Sequence, residues 1–128
     1  MERSYDRCKD IDLLSLSEDD LEKLETLAAR FSRSIDILIN KFLRSLDIAE
    51  LEDVSRKLDI VIRAEKRGFV ENYEELIELK NLRNELAHEY IEELFIEKID
   101  LVRHKSKELF TIKDKIVAYM DQYKLCEE

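Results

Sequence analysis

An arginine, a histidine and a tyrosine lie within eight residues of one another in the segment 83–90, RNELAHEY. Arg83 carries a permanent charge on a planar donor fork that matches phosphate oxygens. His88 is one of two histidines in the chain, and an imidazole can accept and return a proton near neutral pH. The pair can act on an RNA phosphodiester without a metal. The histidine takes the proton of a ribose 2′-hydroxyl while the arginine stabilises the charge that builds on phosphorus.

The five-residue spacing of Arg83 and His88 constrains how they can meet. On a regular α-helix, side chains five residues apart point about 140° away from each other. Arg83 instead shares a face with Ala87 and Tyr90, at i+4 and i+7. Either the helix ends or distorts near Ala87, or two copies of the chain contribute to one cleft around a two-fold axis. We expect the second arrangement, a homodimer.

The composition predicts that helices position this segment. The chain has 128 residues, no Pro, one Gly and 41% charged residues, which is typical of a helical protein. Its length is that of a single domain, here 1–128. Residues 1–16 have no apolar periodicity and are expected to form a lead-in that is partly ordered at best. Residues 125–128 form a polar tail.

The apolar pattern predicts four long helices. Ser17 begins the first as an N-cap, with Asp20 completing a capping box, and this helix runs to near Leu46. The second starts at Leu51 and ends at Gly68, which suits the left-handed position after a helix. The third runs from an Asn72 cap through Tyr90. The fourth runs from about residue 92 to 119–124, with a bend or break at 103–107. The prediction is an all-α, antiparallel bundle of four, or up to five, helices.

The string from Arg83 to Tyr90 resembles the Arg-x4-His-x-Tyr signature of the HEPN superfamily, in particular the HepT-type toxins of prokaryotic toxin–antitoxin pairs. Asn84 supplies the polar residue that follows the arginine in that pattern. The small helical chain, with the motif well past its middle, is also similar to that family. The resemblance implies a HEPN-like bundle.

It also implies an activity. HEPN toxins are metal-independent endoribonucleases that act as homodimers and need no cofactor. By this resemblance Arg83 and His88 are the catalytic residues, and Asn84 supports the site. RNA is the expected substrate, and the products would carry a 2′,3′-cyclic phosphate and a 5′-hydroxyl.

The resemblance further implies a protein partner. The antitoxin of HepT-type pairs is a minimal nucleotidyltransferase of the MntA type, which silences the toxin by attaching AMP to the motif tyrosine, here Tyr90. A phosphate placed beside Arg83 would occupy its donors and repel RNA. As the alternative, the same residues hold a nucleotide or substrate for a nucleotidyltransferase without cutting RNA.

Further basic residues flank the motif. We expect Lys80, Arg63, Lys66 and Arg67 to contact RNA, and Arg56 and Lys57 to line the cleft with them, although each on its own is typical of a helix surface. His104 lies among Arg103, Lys105 and Lys107, and this patch is typical of a solvated helix face rather than of a second catalytic centre.

Charge and cysteine content exclude some functions. A net charge of −9 argues against a general nucleic-acid coat protein, whose affinity comes from phosphate neutralisation, but allows a local basic cleft. Cys8 and Cys126 have no neighbouring ligands, so no zinc site is expected. We expect both to be reduced thiols. The chain has no apolar run of about 18 residues, so we predict a cytoplasmic protein with no membrane association.

Overall fold

A computed structural model describes residues 1–88 and 92–123, with the side chains of 92, 93 and 123 left aside. These residues form helices and connections and contain no β-strand, so the prediction of an all-α fold is confirmed. The elements, in chain order, are α1 (Glu2–Cys8), α2 (Glu18–Asp36), a π-helix (Ile37–Leu43), α3 (Arg44–Ala49), α4 (Lys57–Lys66), α5 (Glu74–Ala87) and α6 (Glu92–Tyr123).

The first predicted helix is present as one unbroken rod made of α2, the π-helix and α3. It begins with the predicted capping box. The backbone N–H of Asp20 donates to Ser17 Oγ at 3.0 Å, and the backbone N–H of Ser17 donates to Asp20 Oδ2 at 3.3 Å. The rod ends at Ala49, slightly beyond the predicted Leu46. The π-helix in its middle was not predicted, because the apolar positions continue through it with a helical period.

The lead-in holds a helix that its lack of periodicity did not predict. α1 packs against α2 and α6, and its Cys8 is fully buried with its Sγ 3.2 Å from the carbonyl oxygen of Lys23. Arg103 of α6 donates to the carbonyl oxygens of Cys8 and Ile11 at 3.1 and 2.8 Å. Seven helical residues are too few for sequence periodicity, so tertiary contacts order this segment.

The second predicted helix is shorter than expected. α4 begins at Lys57 rather than at Leu51, which instead has a φ of 63° and is almost fully exposed. A residue in the left-handed region ends α3 as glycine usually does, and the backbone N–H of Glu52 donates to the carbonyl oxygen of Asp47 at 2.8 Å. The predicted stop at Gly68 is confirmed: its φ is 84° and its N–H donates to the carbonyl oxygen of Glu65 at 3.0 Å.

α5 ends at Ala87, and His88 occupies its C-terminal cap with a φ of −105°. This helix was predicted to continue through Tyr90, which lies outside the described residues. The end at Ala87 matches the first of the two arrangements considered for the motif, in which the helix stops before His88.

α6 runs through 103–107 without the predicted break. The polar residues there are used inside the fold. Ser106 is buried and its hydroxyl donates to the carbonyl oxygen of Val102 at 2.7 Å, while Lys105 pairs with Glu78 of α5 at 2.9 Å. Arg103 holds the lead-in, as described above, so this patch is only partly a solvated face.

The core lies where α2, α5 and α6 contact one another in pairs, with α1 and α4 added at its edges. Fully buried side chains from these three helices include Leu24, Phe31, Leu76, Leu79 and Ile99. The arrangement is a helical bundle. None of the helices in the described parts of the chain is both long and apolar enough to cross a membrane.

Candidate functional site

A polar cavity of about 300 Å³ lies between the end of α2, the π-helix, the start of α4 and the second half of α5. Its walls carry several cations and few carboxylates. The lining residues are Ile35, Asp36, Ile39, Asn40, Lys41, Lys57, Lys80, Arg83 and Asn84.

α5 supplies three of the polar side chains. Lys80, Arg83 and Asn84 are spaced i, i+3, i+4, which places them together on one face of the helix. The adjacent face of α5 is fixed by Leu79 and Leu82, which are buried in the core. The packing of the bundle therefore turns the polar face of α5 toward the cavity.

Arg83 is held in place but keeps part of its hydrogen-bonding capacity. Its Nη2 donates to Asp36 Oδ2 at 3.0 Å, and its Nη1 lies 3.4 Å from Asn84 Oδ1. Its buried Nε has no acceptor among the described residues. The side chain is 34% exposed, so an incoming anion can reach the guanidinium. A guanidinium has five N–H donors, and an anion would satisfy donors that the protein leaves unused.

The three lysines of the cavity differ from Arg83 in having no carboxylate within 4 Å in residues 1–88 and 92–123. Asp36 is the one carboxylate among the lining residues, against Lys41, Lys57, Lys80 and Arg83. Four positive charges and one negative charge give the lining a net charge of +3, in a chain whose net charge is −9. This local excess of positive charge attracts anions.

The π-helix explains how Asp36 and Lys41 line the same cavity. On an α-helix, residues five apart point about 140° away from each other. The hydrogen bonds of a π-helix join residues five apart, so Lys41 is rotated back toward the face that carries Asp36 and Asn40. π-Helical turns are frequent at functional sites.

The structure brings together four of the residues expected at the site, Lys57, Lys80, Arg83 and Asn84. His88 is exposed at the end of α5 and does not line the cavity; its backbone N–H donates to the carbonyl oxygen of Glu85 at 3.2 Å. Within one chain, the predicted catalytic pair therefore does not share the cavity. The predicted AMP acceptor, Tyr90, lies outside the described residues.

Arg63 and Arg67 lie in a different cluster. Both donate to Asp47, whose side chain is fully buried, with Nη1–Oδ distances of 3.0 and 2.5 Å. Arg67 also binds Glu50, and Arg63 Nε lies 3.4 Å from Glu52. These two guanidinium groups hold α4 against the end of α3. Lys66 is exposed on α4 and does not line the cavity either.

Glu50 extends this cluster to α6, because its carboxylate accepts a hydrogen bond from the Tyr119 hydroxyl at 2.7 Å. That hydrogen bond, and then those from Arg67, lower the pKa of Glu50 below its ordinary value. The lowered pKa means that the folded state favours the charged carboxylate.

Three polar residues of the cavity were not predicted from the sequence, namely Asp36, Asn40 and Lys41, whereas Lys57 was among the flanking basic residues expected at the cleft. Asp36 is 47 residues from Arg83 along the chain, and nothing local marks it as a partner. In the sequence, Lys41 resembles an ordinary surface lysine. The clue that was available for Lys41 was its positive charge in an acidic chain.

A larger cavity lies elsewhere and has a different character. It measures about 570 Å³ and lies between α1, the π-helix and the second half of α6. Its walls are mainly apolar, including Ile37, Phe42 and Val117, and its Lys113 pairs with Glu2 at 2.7 Å. Ligand pockets combine apolar walls with convergent polar groups, and here the polar groups converge at the smaller cavity.

The described residues contain no cluster of three or more His, Cys, Asp or Glu side chains that could hold a metal ion. His104 is positioned by its own helix, since its Nδ1 lies 2.9 Å from the carbonyl oxygen of Asp100. A carbonyl oxygen accepts, so Nδ1 is the donor in this contact.

No protein-family model matches the chain, and no curated protein or solved structure is significantly similar to it. The choice among functions therefore depends on the cavity and on the segment 83–90.

Proposed function

We propose that this protein is a metal-independent endoribonuclease toxin of the cytoplasm, in which a basic cavity at Arg83 binds RNA phosphate. The observation that carries the proposal is the +3 lining built around Arg83, Lys80 and Asn84 in a chain of net charge −9. His88 follows the same helix and is exposed. The resemblance of residues 83–90 to the HEPN motif supports the same activity.

The proposed reaction is an intramolecular transesterification. His88 takes the proton of a ribose 2′-hydroxyl, and the 2′-oxygen attacks the adjacent phosphorus. The bond from phosphorus to the 5′-oxygen breaks, and this oxygen takes up a proton from the protonated His88 of a second copy. Arg83 donates to the phosphoryl oxygens as charge builds on them. One product ends in a 2′,3′-cyclic phosphate and the other begins with a 5′-hydroxyl.

The active unit in this proposal is a homodimer. His88 does not line the cavity of its own chain but is free to meet another surface at the exposed end of α5. A two-fold axis near this end would place two copies of His88 and two copies of Arg83 around one cleft. Specific activity should therefore fall on dilution in parallel with the dimer fraction measured by sedimentation.

The proposed antitoxin is a minimal nucleotidyltransferase that attaches AMP to Tyr90. The sequence motif supports this part of the proposal, and the intact mass of the chain tests it. Co-expression with such an enzyme should add one or more adenylyl groups to the peptide that contains Tyr90. An unmodified peptide from a silenced complex would contradict this mode of inhibition.

A second candidate function is the binding of a nucleotide or substrate for a nucleotidyltransferase, without cleavage. Two observations favour it: Asp36 already accepts a hydrogen bond from the guanidinium group of Arg83, and His88 lies outside the cavity. A volume of about 300 Å³ is at the lower end of the range for small-molecule sites.

Cleavage of end-labelled RNA in EDTA separates the two candidates. We expect the wild-type chain, purified without a partner, to cleave RNA, and His88→Ala to be slower by about 10²- to 10⁴-fold, the usual contribution of a general acid–base. His104→Ala is the matched control and should keep its activity, because His104 lies on α6 in a separate polar patch. Nucleotide binding without cleavage by any form would favour the second candidate and reject the nuclease.

A further inference from the structure

We infer that Lys41 and Lys57 form a second phosphate subsite, which binds the phosphate next to the one held by Arg83 and Lys80 in a single strand of RNA. This inference rests on the proposed function and specifies its substrate. The four cations line one continuous cavity of about 300 Å³. That space accommodates part of one sugar–phosphate backbone and not a duplex.

The two lysines come from elements outside the motif. Lys41 belongs to the π-helix, and Lys57 is the first residue of α4, whereas Lys80 and Arg83 belong to α5. The cavity therefore has cations contributed by three elements that are far apart in sequence. A single-stranded backbone that entered the cavity would meet positive charge from all three elements, as in the positively charged grooves that track single strands.

The group of cations around the cavity is informative because the chain as a whole is acidic. The chain has 31 acidic residues and 22 basic ones, so carboxylates are available to neutralise most cations. Lys105 and Lys113, for example, pair with Glu78 and Glu2 at 2.9 and 2.7 Å. Lys41 and Lys57 have no such pair within the described ranges. Like charges gathered around one cavity repel each other, and a bound polyanion would relieve this repulsion.

Lys41 also depends on the local backbone. The rotation that the π-helix introduces brings Lys41 to the cavity beside Asp36 and Asn40, as argued above. A regular α-helix would point it away. The one irregular segment of the long rod thus adds a cation to the site, which is consistent with the frequent use of π-helical turns at functional sites.

Fluorescence anisotropy with a labelled single-stranded RNA tests the inference. The probe carries 2′-O-methyl groups throughout, so it cannot be cleaved. The double variant Lys41→Ala/Lys57→Ala should bind it more weakly than the wild type. The slope of log K against log salt should be shallower by about 0.7 for each phosphate of the single strand that the variant no longer neutralises. The charge-matched control is Lys66→Ala/Lys107→Ala, two exposed lysines outside the cavity, and should keep the wild-type slope.

A second probe assigns the two subsites. AMP has one phosphate group, which should bind at Arg83 and Lys80, so its affinity should fall much less than that of RNA in Lys41→Ala/Lys57→Ala. With cleavable RNA, the double variant should raise KM and leave kcat unchanged, because these lysines bind the substrate and the transition state alike. A thermal melt equal to that of the wild type shows that the variant is folded.

The outcomes separate the inference from the function on which it rests. A wild-type chain that binds and cleaves RNA, with an unchanged slope in the double variant, overturns the second subsite alone. An equal loss of AMP binding also overturns it, because all four cations would then hold one phosphate. A wild-type chain that neither binds nor cleaves RNA overturns both the subsite and the nuclease.

Discussion

Two groups of cations in this molecule, one at each end of α4, differ in how they are balanced. The paired cluster consists of Arg63 and Arg67 with the carboxylates of Asp47, Glu50 and Glu52. The basic cavity has Lys57 of the same helix, together with Lys41, Lys80 and Arg83, against the single carboxylate of Asp36. In the paired cluster the carboxylates outnumber the arginines, so both arginines form ion pairs that hold helices together. In the basic cavity the cations outnumber the carboxylates, so positive charge is left to bind a ligand.

Burial separates the two groups as well. The side chain of Asp47 is fully buried, and a buried charge is stable only while its partners are in place. The Asp36 and Arg83 side chains are 42% and 34% exposed, and water screens a pair of this kind. The first group is therefore expected to govern stability, and the second to govern binding.

The largest expected effect is on stability, from Asp47→Ala. The substitution leaves two arginines without their buried partner and should lower the free energy of unfolding by about 3–5 kcal/mol. Urea denaturation followed by circular dichroism measures it. The matched control, Asp36→Ala, removes the carboxylate of an exposed pair and should change the same quantity by less than about 1 kcal/mol. Equal losses in the two variants would remove the distinction between the groups.

The next effect concerns catalysis, through the orientation of Arg83. Asp36→Asn keeps an oxygen that can accept from Arg83 Nη2 and removes the negative charge, whereas Asp36→Ala removes both. RNA binding should not weaken in either variant, because the cavity becomes more positive. Cleavage should fall further in Asp36→Ala than in Asp36→Asn, since only the latter still orients the guanidinium.

Single-turnover rates and the Kd for uncleavable RNA give the two readouts. Equal rates for the two Asp36 variants would show that the Asp36 carboxylate does not orient Arg83. Weaker RNA binding in both variants would show that Asp36 contributes to the cavity in some way other than by its charge.

Local rules predicted the parts of the fold that depend on neighbouring residues. The start at Ser17 and the stop at Gly68 follow from capping chemistry that four or five residues contain. The helix at Glu2–Cys8 and the unbroken course of α6 depend on tertiary contacts, such as those of Arg103 with the lead-in. Such contacts join residues more than 90 positions apart, and a short pattern does not record them.

The candidate site also combines residues that the local sequence predicts with residues that only the folded chain brings together. Lys80, Arg83 and Asn84 were predicted because they belong to the motif at 83–90 or flank it in sequence. Asp36 was not, because its relation to Arg83 exists only after α2 packs on α5. From the sequence, Arg63 and Lys80 are equivalent candidates for RNA contacts. Only the buried carboxylate of Asp47 distinguishes the structural cation from the one at the cavity.

The smallest expected effect is on the pH dependence of the melting temperature, and it concerns Glu50, a carboxylate of the paired cluster. The hydrogen bond from Tyr119, and then those from Arg67, hold the pKa of Glu50 below its ordinary value of 4.5. A pKa lowered in the folded state adds stability above the unfolded pKa, and this stability is lost as the pH falls through the folded value. Glu50→Gln should therefore lower Tm most at neutral pH and progressively less below about pH 4.5.

Glu75 provides a control of opposite sign. Burial first, and then the nearby Glu108 and Glu71 carboxylates, raise the pKa of Glu75, so its ionised form opposes folding once the pH exceeds that pKa. Glu75→Gln should raise Tm at neutral pH, and the gain should vanish in acid. Melting curves of both variants from pH 3 to 7 would show two difference curves of opposite sign. If Glu50→Gln does not lower Tm at neutral pH, Glu50 does not gain its charge-dependent stability from Tyr119 and Arg67, and the pairing in this cluster extends no further than Asp47.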